Sequence, residues 1–157
     1  MAKVLFVEDH PFLIEEIVNI MINSTDSIDF DRAENLEEAW KYLVENEYNL
    51  IVLDVMLPGL TDVESKCEGI YLAKWIVEGE GIPDVIQSIG KIKSFNKDSK
   101  MVFLTSRNTN DVRESLLQLI NHSEHRFSSS SFINRSLGNA YDQAQNLLKF
   151  LSDFDAK

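Results

Sequence analysis

Apolar and polar positions along this chain follow two alternating rhythms. Unbroken apolar runs of strand length, Val4-Leu5-Phe6-Val7, Leu50-Ile51-Val52-Leu53 and Met101-Val102-Phe103-Leu104, are separated by stretches in which apolar residues recur every three or four positions. The pattern predicts a strand at Lys3 to Val7 and a helix from Pro11 to Ile22, with Pro11 suited to a first helical turn. A second strand is expected at Ile28 to Arg32, where Ile28 and Phe30 alternate with Asp29 and Asp31. Asn35 then caps a helix that contains Leu36, Ala39, Trp40 and Leu43. A strand at Leu50 to Leu53, a helix over Gly69 to Val77, a strand at Met101 to Leu104 and a helix over Asp111 to Ile120 come next. A strand at Ser131 to Asn134 and a helix ending near Leu151 close the chain. The continuous apolar character of the runs at Val4 and Leu50 indicates burial on both faces, as in central parallel strands. Regular β-α alternation predicts an α/β fold, a doubly wound parallel sheet of five strands with helices on both faces.

Two connections exceed the minimal version of this plan. The stretch from Asp54 to Thr105 is longer than the roughly 30 residues of a compact βαβ unit. Part of the excess is 61–68, after the Pro58-Gly59 turn. The rest is 78–99, where Val85, Ile86, Ile89, Ile92 and Phe95 keep a helical spacing, which predicts an extension of the third helix or an added one. The second excess is the polar stretch 121–130. Trp40 and Trp75 fall at apolar helical positions, which favours packing over ligand stacking.

At 157 residues and 44% hydrophobic content the chain suffices for one domain with a real core, expected to cover 1–157. No stretch approaches membrane-spanning length and no charged start precedes a long apolar segment, so a cytoplasmic protein without a membrane partner is expected. Cys67 is the only cysteine, which precludes an intrachain disulfide and fits a reducing compartment. The net charge of −11 repels polyanions and disfavours direct nucleic-acid binding, leaving proteins and cations as partners.

The chemistry lies where strands end. Glu8 and Asp9 close the first apolar run and Asp54 closes the run at Leu50. In an open parallel sheet the carboxyl ends of the strands border the ligand crevice, so these carboxylates form a cluster of negative charge there. Oxygen ligands with no histidine or cysteine beside them favour a hard cation, Mg2+ above all. His122 and His125 lack a further ligand cluster and read as a solvated loop; His10 reads likewise as a loop residue.

These residues resemble the receiver domain of two-component response regulators. Val4-Leu5-Phe6-Val7-Glu8-Asp9-His10-Pro11 is similar to its first strand and acidic pair. Leu50 to Gly59, with Asp54 and Pro58-Gly59, is similar to its phosphoacceptor strand and turn. Met101 to Ser106 is similar to its fourth strand with a closing hydroxyl residue. The resemblance implies a flavodoxin-like strand order 2-1-3-4-5 and a signalling switch in which Asp54 takes a phosphoryl group from a sensor histidine kinase or histidine phosphotransfer protein. It implies Mg2+ ligation by Asp9, Asp54 and the backbone carbonyl of Met56, with Glu8 helping through water. Thr105 would bond the new phosphoryl group, Ser106 would leave room for the donor, and Phe132 would turn inward on activation. A downstream protein would then read the state. The chain departs from the family at one site position: Arg135 follows the fifth strand where a lysine, usually followed by proline, is expected. Arginine keeps the charge but not the geometry.

Two other readings stay open. A pseudo-receiver of the same fold would act as an interaction module without phosphorylation. A hydrolase working through an aspartyl phosphate would need a second acid two positions after its nucleophile, and Val55-Met56 follows Asp54. That absence leads to the expectation of a switch with only self-catalysed phosphotransfer and dephosphorylation, not an enzyme. No output domain is expected within these 157 residues, and both a stand-alone receiver and a part of a larger regulator fit.

Overall fold

The computed structural model describes residues 2–8, 11–25, 27–54, 68–105, 109–119, 132–134 and 139–155, of which 11–14, 68, 105, 109–111, 115, 119, 134 and 152–155 are described by their backbone alone. Five strands carry the fold: β1 (Ala2–Val7), β2 (Ile28–Ala33), β3 (Leu50–Asp54), β4 (Lys100–Thr105) and β5 (Phe132–Asn134). They pair in the order β2-β1-β3-β4-β5, and every pairing is parallel. Register runs through Val4 opposite Leu50, Leu50 opposite Lys100 and Phe103 opposite Phe132.

Side chains alternate across the sheet, so each apolar run feeds two cores. Leu5, Val7, Ile51, Leu53, Met101, Phe103 and Phe132 face one side. There they meet α2 (Leu36–Glu45), α3 (Glu68–Glu78) and α5 (Thr109–Leu119) through Leu36, Trp40, Leu43, Leu72, Ile76 and Leu116. Val4, Phe6, Leu50, Val52, Val102 and Leu104 face the other side, under α1 (Pro11–Ser24) and α6 (Ala140–Asp155) through Ile17, Met21, Ala144 and Leu147. Each large side chain buried this way contributes on the order of 1.5–3 kcal/mol relative to an exposed one. The expected doubly wound sheet is thus the one observed.

Local signals account for the element ends. Asn35 caps α2 by accepting the Glu38 amide at 2.9 Å, and the Glu38 carboxylate reaches back to accept the amide of Glu34, the residue before the cap, at 2.9 Å. β2 is half-buried along most of its length, as an edge strand that alternates apolar and acidic residues should be.

Of the two alternatives for 78–99, an extension of α3 or an added helix, the structure has the second, and the added helix is short. Gly79 and Gly81 adopt φ of 69° and 71°, a left-handed geometry that ends α3. Beyond them the chain forms a four-residue helix, α4 (Asp84–Gln87), and a 3-10 turn at Ser94–Asp98. Ile86 and Ile92 are buried, whereas Val85 and Phe95 are exposed, so the apolar spacing serves two short elements. Asn96 anchors the segment: buried completely, its amide nitrogen donates to the carbonyls of Leu43 and Asn46, and its amide oxygen accepts the Tyr48 backbone N–H. The Ser99 hydroxyl donates to the Tyr48 carbonyl beside it. The polar clamp therefore sits at the start of β3, the end of the strand opposite Asp54. The other two insertions, 61–68 and 121–130, lie outside the described residues but for Glu68, which begins α3.

Candidate functional site

β1 and β3 are the adjacent central strands at which the sheet order reverses, and such switch points open a crevice at the carboxyl ends of the strands. Val7 pairs with Leu53, so the next residue of each strand, Glu8 and Asp54, continues that register at the crevice. Both follow the alternation of Val4, Phe6, Leu50 and Val52 and so lie toward the α1 and α6 side. The Glu8 amide donates to the Ala33 carbonyl at 2.9 Å, which carries β2-like pairing one residue past β1 and fixes its backbone.

Each of these carboxylic acids is only 1% exposed. Acidic side chains are rarely buried so fully, because a carboxylate loses its hydration unless the protein supplies compensating charge or donors. Two of them at the ends of neighbouring strands make a site whose donor set is hard oxygen, suited to an ion such as Mg2+. Among the described residues no group of three or more His, Cys, Asp or Glu side chains gathers to hold a metal. Asp9 and Met56, the other expected ligands, lie outside the described residues, as do His10, Pro58-Gly59, Cys67, Ser106, the His122 and His125 pair, Ser128 to Ser131, Arg135 and Ser136.

Thr105 closes β4, one position beyond Leu104, which pairs with Asp54. Its backbone pairs with Asn134 of β5, so the carboxyl ends of β1, β3 and β4 converge on one edge of the sheet. Phe132 opens β5 and is buried at 6% exposure, stacked on Phe103 with ring centroids 5.1 Å apart and planes 15° from parallel. Trp40 and Trp75 are buried in the same core, as their helical spacing predicted, and the Trp40 indole also donates to the Gly90 carbonyl at 2.9 Å.

Sequence reasoning did not single out Tyr48, Asn96 or Ser99. Tyr48 is fully buried, and its hydroxyl donates to Asp31 at 2.6 Å. Burial, then the bond to Asp31 and its negative charge, push that phenol far above its ordinary value of 10.0. The one available signal was a tyrosine and an asparagine directly before a buried strand.

Fold and buried acids together define the class: a flavodoxin-like α/β domain with an acidic site at its switch point. The sequence model for the response regulator receiver domain matches residues 4–89, more than half of the chain, and the protein belongs to that family, whose members serve phosphorylation-based signalling. No curated protein sequence matches significantly. Solved structures with the same fold include the non-phosphorylated HemR receiver domain of Leptospira biflexa, with TM-score 0.60, 22% identity, and coverage of 97% of this chain and 95% of that one. The receiver domain of Francisella response regulator 1452 has TM-score 0.62 and 16% identity over 98% and 99% of the two chains. A response regulator from Hahella chejuensis has TM-score 0.64 and 19% identity over 96% and 92%. No helix among the described residues is long and apolar enough to cross a membrane.

Proposed function

We infer that the protein is a phosphorylation-controlled switch in which Asp54 is the phosphoacceptor. The observation that carries this reading is the nearly complete burial of Glu8 and Asp54 at the ends of the two strands that flank the switch point. A buried carboxylate is costly to keep and is retained where it has chemistry to do. An oxygen of Asp54 attacks the phosphorus of a phosphohistidine on a sensor kinase or phosphotransfer protein. The P–N bond breaks as the P–O bond forms, and the histidine nitrogen leaves with the electron pair.

Glu8, Asp9, Asp54 and the carbonyl of Met56 are the groups that would hold Mg2+; once bound, it neutralises charge on the transferring oxygens. β1 and β3 fix Glu8 and Asp54 in place, so little reorganisation accompanies the transfer. In this reading Thr105, which closes β4, bonds the phosphoryl group, and Arg135 stands in the sequence where the family has its lysine. Phe132, stacked inward on Phe103, couples that edge to the surface around β5, where a downstream protein reads the state by preferring one of two conformations. The reading includes a cytoplasmic protein with no direct nucleic-acid contact and no turnover beyond its own phosphorylation and dephosphorylation.

Arg135 supports a second reading, an interaction module that does not use phosphorylation, because no lysine occurs between Lys100 and Lys149 to replace the missing one. Intact mass after incubation with Mg2+ and acetyl phosphate, or with a histidine-phosphorylated donor, separates the two. Gain of one phosphoryl group, absent in Asp54→Asn and without Mg2+, is the expected result. A folded protein that gains none from either donor is the module instead.

A further inference from the structure

The segment 78–99 does more than bridge α3 to β4: with α2 and α3 it encloses a cleft of about 400 Å³. The base is apolar, formed by the buried Trp40, Trp75 and Ile92 with Ile82 beside them. The rim carries Lys91, which is exposed, and Lys97, which is half-buried. No acidic residue lines it, although the chain carries 26 acidic residues against 15 basic ones. Neither lysine makes an ion pair among the described residues. Lys97 also faces the carboxyl end of α3, since a Cβ on Gly79 would lie 3.9 Å from its ammonium, and the helix dipole favours a cation there. That explains Lys97 alone; it leaves Lys91 and the open volume unexplained.

The walls are fixed before anything enters. The Trp40 indole holds the Gly90 carbonyl, and the Lys93 amide donates to the Leu43 carbonyl at 3.1 Å. Gly90 itself packs so closely that an added Cβ would meet Val44 at 3.1 Å. A preformed cavity of this size with an apolar base and a few polar groups at its mouth is the ordinary build of a small-molecule site. The family match ends at residue 89, so the lysine-bearing wall lies beyond the matched residues.

We propose that this cleft binds a small anion that carries a flat ring, the ring seated against Trp40, Trp75, Ile82 and Ile92 and the acid group held by Lys91 and Lys97. The apolar lining takes the ring by burial, and an ammonium pair takes a carboxylate, sulfonate or phosphate by charge-assisted hydrogen bonds. The site is independent of phosphorylation at Asp54, being built from other elements.

Both tryptophans of the chain line the cleft, so a dye bound there accepts their energy, and the lysine substitutions show whether that is where it binds. The test is a titration of the full chain with anilinonaphthalene sulfonate, a ringed anion, read by energy transfer from tryptophan. Saturable binding at one site is expected, weakened about tenfold or more in Lys91→Gln/Lys97→Gln at unchanged melting temperature, and retained within about threefold in Lys97→Arg. Phenylnaphthylamine, which lacks the sulfonate, should bind about tenfold more weakly. Absence of saturable transfer, equal binding of the neutral dye, or indifference to the double substitution overturns the proposal. So does an acidic peptide that quenches the tryptophans where the dye does not, which would make the cleft a peptide groove.

Discussion

Replacing Asn96 by alanine tests whether the segment between α3 and β4 is part of the structural frame. The side chain is fully buried and makes three hydrogen bonds of 2.8 Å, two to carbonyls and one from an amide. Each such bond contributes about 1 kcal/mol net, so their loss removes about 3 kcal/mol. The Leu43 carbonyl keeps the Lys93 amide, but the Tyr48 N–H and the Asn46 carbonyl lose the Asn96 bond in a dry environment, which adds roughly 1–2 kcal/mol. The expected destabilisation is about 3–5 kcal/mol, a fall in melting temperature of about 10 °C for a chain of this size. Urea unfolding followed by circular dichroism should show a lower midpoint with an unchanged slope. In Asn96→Asp one carboxylate oxygen would face the two carbonyls that now accept from the amide, so that variant should regain stability as pH falls and its acid protonates. A loss below about 1 kcal/mol in the alanine variant would refute the assignment of Asn96 as an anchor.

Three further outcomes are expected. Mg2+ at ten times its dissociation constant should stabilise the wild-type protein by about 1.4 kcal/mol, a rise of roughly 3–5 °C in melting temperature, and leave Asp54→Asn unmoved; equal shifts would place the ion elsewhere. The raised folded pKa of Tyr48 means that its neutral phenol stabilises the fold below pH 10 and that this contribution is lost as pH climbs above 10, where the unfolded chain ionises first. Tyr48→Phe should therefore show a shallower decline of stability in alkaline urea titrations than the wild type. Gly90→Ala places a Cβ at φ of 143° and 3.1 Å from Val44, and should cost about 1–3 kcal/mol in thermal unfolding; no loss would mean that the turn relaxes freely.

The sheet was legible because its strands are written as uninterrupted apolar runs, and burial on both faces leaves no other residue type at Val4 to Val7 or Leu50 to Leu53. β2 was readable from Ile28 and Phe30, and Asn35 announced its helix by capping chemistry. In the segment 78–99 the spacing left extension and added helix open because it does not see backbone dihedrals: Gly79 and Gly81 end α3, and the added helix is only Asp84–Gln87. Asn96 and Ser99 left no periodic trace, since a buried amide that serves backbone groups looks in sequence like any loop residue. Of the acidic site, the sequence placed Glu8 and Asp54 at strand ends; their shared burial needed the register of β1 on β3.

The pairing order carries a consequence for how the chain acquires its shape. β2, β1 and β3 all lie within the first 54 residues, so three of the five strands can assemble during synthesis before β4 exists. Until then the outer edge of β3, from Leu50 to Asp54, stands with unsatisfied amides and carbonyls beside apolar side chains that the finished protein buries. Such an edge is a template for wrong pairing, and parallel partners distant in sequence arrive slowly. A nascent or truncated chain that stops before Lys100 should therefore be the aggregation-prone species, and the strand that ends in Asp54 is the surface through which it would stick.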